Sequence, residues 1–182
     1  IKGLEFIENE DAHNYLADMI FAQAYAEVNR EYIIKHILQS IGLDGYSEYI
    51  ETVHNYINFD DFIVRKGAVQ SYIGQKIIVP FNMRDGLLIC EGKSNSEWNF
   101  SGPHGAGRVL SRTQAKKTLS VDEFKERMKD IYSTSVGYGT IDEAPGVYKD
   151  AKVIEDAIQP TATIINRVVP IINIKAKNSV ED

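Results

Sequence analysis

Apolar positions at Tyr15, Met19, Ala22, Ala26, Ile33, Ile37 and Ile41 recur at threes and fours or at their sum. That period is one face of an α-helix, so the chain is expected to begin with one long helix over residues 10–41, stopped at Gly42. The pattern then changes. Tyr49-Ile50, Val53, Ile57, Phe62-Ile63-Val64, Ile77-Ile78-Val79 and Leu87-Leu88-Ile89 are short β-rich runs split by Gly, Asp and Pro, and predict a group of strands over 50–92. Pro80 is expected to end one of them, with a turn through Arg84-Asp85-Gly86. Residues 93–103, with Trp98, Gly102 and Pro103, read as an irregular loop.

The second half alternates turns with short helices. A glycine-rich stretch from Gly102 is expected to open a helix through Lys117. Ser120-Val121-Asp122-Glu123 has the capping-box form and predicts a helix to about Ile131. Gly137 and Gly139 mark a loop, residues 143–150 are turn-rich, and a short helix follows through Ile158. Residues 161–174 are rich in β-branched side chains and predict a last strand, interrupted by Pro170; residues 176–182 are a polar, loose tail. No internal repeat or long linker interrupts the chain. It reads as one α+β unit over 1–182, the long helix packed on a mainly antiparallel or mixed sheet.

Composition changes this picture little. The 182 residues suffice for one real core, and the charged fraction of 25% is ordinary for a globular protein. Cys90 is the one cysteine, so no internal disulfide forms, which fits a reducing, cytoplasmic setting. No apolar run approaches the roughly 18 residues of a membrane span, and no membrane partner is expected. The chain starts at Ile1 and reads as a fragment, a processed chain or an incomplete one. The net charge of −6 argues against a protein coated with nucleic acid, although a local stripe suffices for a phosphate backbone. Arg108, Arg112 and Lys116, four apart, are expected to share a helix face.

The chemistry concentrates in His104-Gly105-Ala106-Gly107-Arg108, followed by Ser111-Arg112. Glycines let peptide N–H groups approach an anion, and a helix starting there would aim its positive end at a phosphate. An imidazole at the lip of such a cradle can act as nucleophile, metal ligand or base. The stretch is neither a Walker A loop nor a dinucleotide fingerprint, because the required spacing is absent. His54-Asn55 and Arg65-Lys66-Gly67-Ala68 are the other polar interruptions in the strand region. His13 and His36, on the long helix, have no partner at metal-site spacing and read as surface or packing residues. Taken alone, the glycine loop also fits a plain structural turn.

Several segments in order make the chain resemble the C-terminal portion of the RtcB family, the GTP-dependent RNA splicing ligases. They are Phe21-Ala22-Gln23-Ala24-Tyr25-Ala26 with Asn29-Arg30, His54-Asn55-Tyr56, Arg65-Lys66-Gly67-Ala68, His104 to Arg108 with Ser111-Arg112, and Glu143-Ala144-Pro145-Gly146-Val147-Tyr148-Lys149. The resemblance spans about residues 3–175. It implies that RNA ends bearing a 3′-phosphate, or a 2′,3′-cyclic phosphate, are joined to 5′-hydroxyl ends in tRNA splicing or RNA repair. By resemblance, His104 accepts GMP from GTP as a covalent adduct and passes it to the RNA 3′-phosphate, with Mn²⁺ balancing phosphate charge. His54 matches a manganese-binding histidine, and Asn55 beside it a nucleotide contact. The backbone of Gly105, Ala106 and Gly107, with Arg108, is expected to cradle phosphates. Tyr148 matches a tyrosine near the guanine pocket and Lys175 the lysine that contacts guanine, with Lys177 a second candidate. Arg65, Lys66 and Arg112 are further guanine-site or RNA contacts.

The resemblance also has departures. The family's Pro-Gly-Ser-Met-Gly segment reads Pro80-Phe81-Asn82-Met83-Arg84 here, so Asn82 stands where a nucleotide-contacting serine is expected and Phe81 and Arg84 replace glycines. The family's further metal ligands, a cysteine, an aspartate and two histidines, lie in an N-terminal half with no counterpart here, and Cys90 does not match that cysteine. The chain by itself is therefore expected not to ligate RNA, with the N-terminal half of the same protein as a partner. The alternative reading is a non-catalytic relative that binds nucleotide or RNA, and a third is a structural partner.

Overall fold

The structure is a computed structural model that describes residues 6–175. Lys177 and the polar tail over 176–182 lie outside the described residues. Helices and antiparallel strands are both present, as the α+β reading expects. Where the sequence reads as one unit, the chain falls into two compact units, residues 1–49 with 56–64, and residues 50–55 with 65–182.

The first unit holds helix α1 (Asn9–Ser40), within a residue of the predicted span at each end. Gly42 follows it with φ +77°, a conformation that suits glycine. Half-buried positions recur along one side of α1, at Met19, Gln23, Ala26, Arg30 and Ile34, while Phe21, Tyr25, Val28 and Tyr32 are exposed. No residue of α1 is buried. Within this unit the Gln23 side-chain oxygen accepts the Ile57 N–H at 2.8 Å, tying the helix to the end of strand β1 (Asn55–Ile57). Strand β1 pairs with β2 (Val64–Lys66).

The second unit is built on two small antiparallel sheets. Strands β4 (Lys76–Asn82), β5 (Gly86–Gly92) and β7 (Ala162–Val168) form one, in the order β4-β5-β7. Strands β3 (Ala68–Gln70) and β6 (Ser101–Pro103) form the other, with Ala68 opposite Pro103. Pro80 does not end its strand. It sits inside β4 because β4 is an edge and a bulge follows between Pro80 and Asn82, so the missing N–H costs no ladder bond. The stretch expected as irregular loop likewise yields a 3-10 turn at Ser96–Trp98 and then β6.

Helices α2 (Arg112–Thr118), α3 (Val121–Arg127) and α4 (Ala151–Ala157) complete the unit. Two corrections concern how helices begin. The capping box belongs to Ser111, whose hydroxyl accepts from the Gln114 N–H while the Gln114 side chain accepts from Ser111. At Ser120 only the hydroxyl bond to Asp122 N–H forms, and α3 stops at Arg127. Helix α2 therefore starts five residues after Gly107, the last loop glycine, so neither its positive end nor a shared face with Arg108 serves that loop.

Two apolar clusters fill the unit. Val69, Ile77, Val79, Leu88, Cys90 and Ile158 dominate the one between sheet and α4. Met83, Ala115, Phe124, Met128, Ile141 and Val147 dominate the one under α2 and α3. Tyr148 packs against both, which fixes the segment around it.

Candidate active site

The site grows from the ends of the β3–β6 ribbon. Gly67 precedes β3 and His104 follows β6, so the antiparallel pairing of Ala68 with Pro103 brings them side by side. Gly67 joins three groups. Its N–H donates to the His54 carbonyl at 2.8 Å and to the Asn55 side-chain oxygen at 3.1 Å, and its carbonyl lies 2.5 Å from His104 Nδ1. Its φ of +71° is the left-handed region, where a side chain is strained. The incoming segment is held as well, since the Thr52 hydroxyl accepts the Ile78 N–H at 3.0 Å on the outer edge of β4.

The tautomer of His104 follows from its partner. A carbonyl only accepts, so Nδ1 carries the proton, and in the neutral ring Nε2 keeps its lone pair. The half-buried ring stacks on the exposed ring of His54, with centroids 4.9 Å apart and planes 22° from parallel. Behind His104 the loop docks on β4. The Ala106 N–H donates to the Pro80 carbonyl at 3.0 Å, and Ala106 itself is buried in the core. Gly105 makes this approach possible, because a Cβ there would stand 2.9 Å from the same carbonyl. Gly107, at φ +71°, turns the chain and accepts the Lys149 N–H at 3.1 Å.

Arg108 lies on the far side of this loop, and its guanidinium is engaged within the protein. It bridges to Tyr148, contacting Glu143 Oε1 and the Tyr148 hydroxyl at 3.3 Å each, donating to the Asp142 carbonyl, and stacking 5.2 Å from the Tyr148 ring centroid. Glu143 is the centre of this second cluster. Its Oε2 accepts the Tyr148 hydroxyl at 2.6 Å and Lys175 Nζ at 3.4 Å, and Arg112 reaches Oε1 only at 4.0 Å. Burial opposes the charge on Glu143, but the Tyr148 hydroxyl, Lys175 and Arg108 together hold its carboxyl below the usual glutamate range. Burial and then the Glu143 carboxylate push the Tyr148 hydroxyl up to about 12. Next to it, Asp142 is buried; its Oδ1 has no hydrogen-bond partner among the described residues, and its Oδ2 lies 3.8 Å from Arg112 Nε.

The site residues named from sequence thus form two groups within the second unit. His54, Asn55 and His104 meet at Gly67; Arg108, Tyr148 and Lys175 meet at Glu143. Three residues differ from expectation. Asn82 spends its side chain on its own turn, accepting from the Arg84 and Asp85 N–H groups and donating to the Asp85 carboxylate at 2.8 Å. Phe81 beside it is buried in the core. Arg65 is buried and reaches Ser101 Oγ at 2.9 Å and the Asn99 carbonyl at 3.4 Å, so it braces the start of β6. Cys90 is buried too, and burial pushes its thiol up to about 11. Gly67 and Glu143 are the residues at which the two groups meet, and sequence reasoning did not single them out. Their signals were a glycine after two cations in a strand-rich region, and a glutamate opening the turn that carries Tyr148.

For a metal, the described residues supply the two stacked imidazoles, one with Nδ1 already occupied. No group of three or more His, Cys, Asp or Glu side chains that could hold a metal ion occurs among the described residues. This donor set does not by itself make a Mn²⁺ site. No described helix is long and apolar enough to cross a membrane.

Comparison with known proteins fits this geometry. The profile of the family described as tRNA-splicing ligase RtcB matches residues 4–176. The RNA-splicing ligase RtcB of Escherichia coli K12 is 30% identical over 96% of this chain and 45% of its own length. The tRNA-splicing ligase RtcB of Nanoarchaeum equitans is 27% identical over 92% of this chain and 43% of its own. The chain thus spans a little under half the length of these relatives. The match covers both clusters and the elements that carry them: the chain belongs to the RtcB family.

Proposed function

We propose that this chain carries the nucleotide-accepting part of an RNA ligase that seals 3′-phosphate or 2′,3′-cyclic phosphate ends to 5′-hydroxyl ends in the cytoplasm. The observation that carries the reading is the hydrogen bond from His104 Nδ1 to Gly67, which leaves Nε2 as the nucleophilic nitrogen of a half-buried ring. In the first step the Nε2 lone pair forms a bond to the α-phosphorus of GTP. The α–β bridging P–O bond breaks, and pyrophosphate leaves with its electron pair. The Gly67 carbonyl, bonded to Nδ1–H, stabilises the positive charge that develops on the ring. The RNA 3′-phosphate then displaces the imidazole and acquires GMP. Finally the 5′-hydroxyl oxygen attacks the phosphorus of the RNA 3′-phosphate (a 2′,3′-cyclic phosphate having first been opened by water) and loses its proton, and the P–O bond to GMP breaks so that GMP departs with the electron pair.

Gly105, Ala106 and Gly107 set the loop that faces this chemistry, and Lys175 and Tyr148 supply the guanine side. His54 is the residue here that would hold Mn²⁺, which would balance phosphate charge when bound, with its further donors supplied from outside the described residues. A complete ligase that includes this sequence is expected to acquire label from α-labelled GTP with Mn²⁺, and the variant His104→Ala to acquire none while keeping RNA binding. The segment by itself is expected to take up no label. Equal labelling of wild type and His104→Ala would refute the assignment. The turn at Asn82 favours a second reading, a non-catalytic relative that binds nucleotide or RNA, since its amide oxygen accepts from Arg84 and Asp85 and its NH2 donates to Asp85. Under that reading a complete ligase binds RNA, with an affinity that falls as salt rises, and never becomes labelled.

A further inference from the structure

We infer that Glu143 is the positioning residue of the nucleotide site, sorting the basic residues around it into a fixed clasp and an exchangeable pair. The inference rests on the nucleotide reading above and extends it to a residue outside the expected ligand set. The clasp is Arg108 with Tyr148. Arg108 donates to Glu143, the Asp142 carbonyl and the Leu110 carbonyl and stacks on Tyr148, and Tyr148 in turn donates to Glu143 at 2.6 Å. These contacts fasten the loop after His104 to the segment 143–149, and the Lys149 to Gly107 hydrogen bond closes the same joint. With its donors used this way, Arg108 holds the loop in place and is not the phosphate contact its position in the motif suggests.

The exchangeable pair is Lys175 with Arg112. Both face the Glu143–Asp142 carboxylates at long range, 3.4 Å for Lys175 and 3.8 and 4.0 Å for Arg112. Both are accessible, with side chains 39% and 73% exposed. Weak, solvated ion pairs of this kind contribute little and rearrange readily. A guanine carbonyl or a phosphate oxygen can replace the carboxylate as their partner, while Glu143 stays anchored by the clasp. Glu143 thereby keeps two cations gathered at an open surface and stays ionised itself.

The test is GMP binding to the full chain, measured by equilibrium dialysis, beside the titration of Tyr148 followed by NMR of labelled tyrosine and assigned with Tyr148→Phe. Glu143→Gln keeps the shape and an acceptor but removes the charge. It is expected to weaken GMP binding roughly tenfold, the scale of a lost hydrogen bond to a charged group. Tyr148 is expected to titrate below its value of about 12, yet above about 10, because burial still raises it. Unchanged GMP binding in Glu143→Gln overturns the inference and leaves the nucleotide reading intact. Weaker binding with an unmoved Tyr148 titration also overturns it, since Glu143 would then act only through general structure. Wild-type protein that titrates near 12 yet binds no GMP overturns the nucleotide reading, and this inference with it. Should Glu143→Gln not fold, Tyr148→Phe severs the shortest contact to Glu143 and keeps the ring; roughly threefold weaker GMP binding is expected, and unchanged binding overturns the inference.

Discussion

The two halves of the site are built from different materials. Around His104 most contacts are made by the backbone (the Gly67 carbonyl and N–H, the Pro80 carbonyl, the Ala106 N–H), joined by the Asn55 side chain and the His54 ring. Around Glu143 they are made by side chains, with a carboxylate gathering a hydroxyl and several cations. Backbone geometry is set by sterics and hardly responds to pH or salt, whereas the side-chain cluster is electrostatic and responds to both. A nucleophile needs a fixed lone pair, and a ligand-facing cluster needs partners it can exchange. Under the proposed function, the difference suits each half to its part.

Substitutions should separate the halves. The largest effect is expected at Gly105. Replacing it with Ala places a Cβ 2.9 Å from the backbone oxygen of Pro80, so the strand or the loop must move. A loss of about 2 kcal/mol, near the upper part of the range for single changes, is expected in urea unfolding. Gly67→Ala comes next. Its Cβ meets the His104 ring only at ordinary contact distance, 3.5 Å, so the cost is the left-handed backbone, about 1–2 kcal/mol. Nitrogen NMR of His104 should also show Nδ1–H as the dominant tautomer in wild type and lose that preference in the variant; an Nε2–H tautomer in wild type would break the comparison.

The electrostatic half should appear in pH profiles. The Glu143 carboxyl is held below its ordinary value, so its contribution to stability is complete above the ordinary glutamate pKa and is lost as pH falls through the lowered one. Glu143→Gln should flatten that acid limb. Tyr148 is raised, so its contribution is complete below about 10 and is lost as pH rises through about 12. Tyr148→Phe should flatten the alkaline limb, and unchanged unfolding midpoints across both limbs would contradict the cluster. The smallest effect is expected for Lys175→Ala, less than about 0.5 kcal/mol in the same unfolding assay, because its ion pair is long and partly solvated.

Local pattern determined a good deal of this protein. The three-and-four spacing of apolar residues marked α1 to within a residue at each end, because helical period is written directly in sequence. The ordered segments from His54 to Tyr148 marked the family. What the sequence could not determine depended on contacts between distant residues. Only the β3–β6 pairing set Gly67 against His104, and so chose which imidazole nitrogen is free. Only an edge position and a bulge let Pro80 remain inside β4. Only tertiary packing gave Arg108 its contacts with Glu143 and Tyr148. A side chain's type states which bonds it can make, whereas the partner it meets is decided by parts of the chain far away in sequence, and there the fold has the last word.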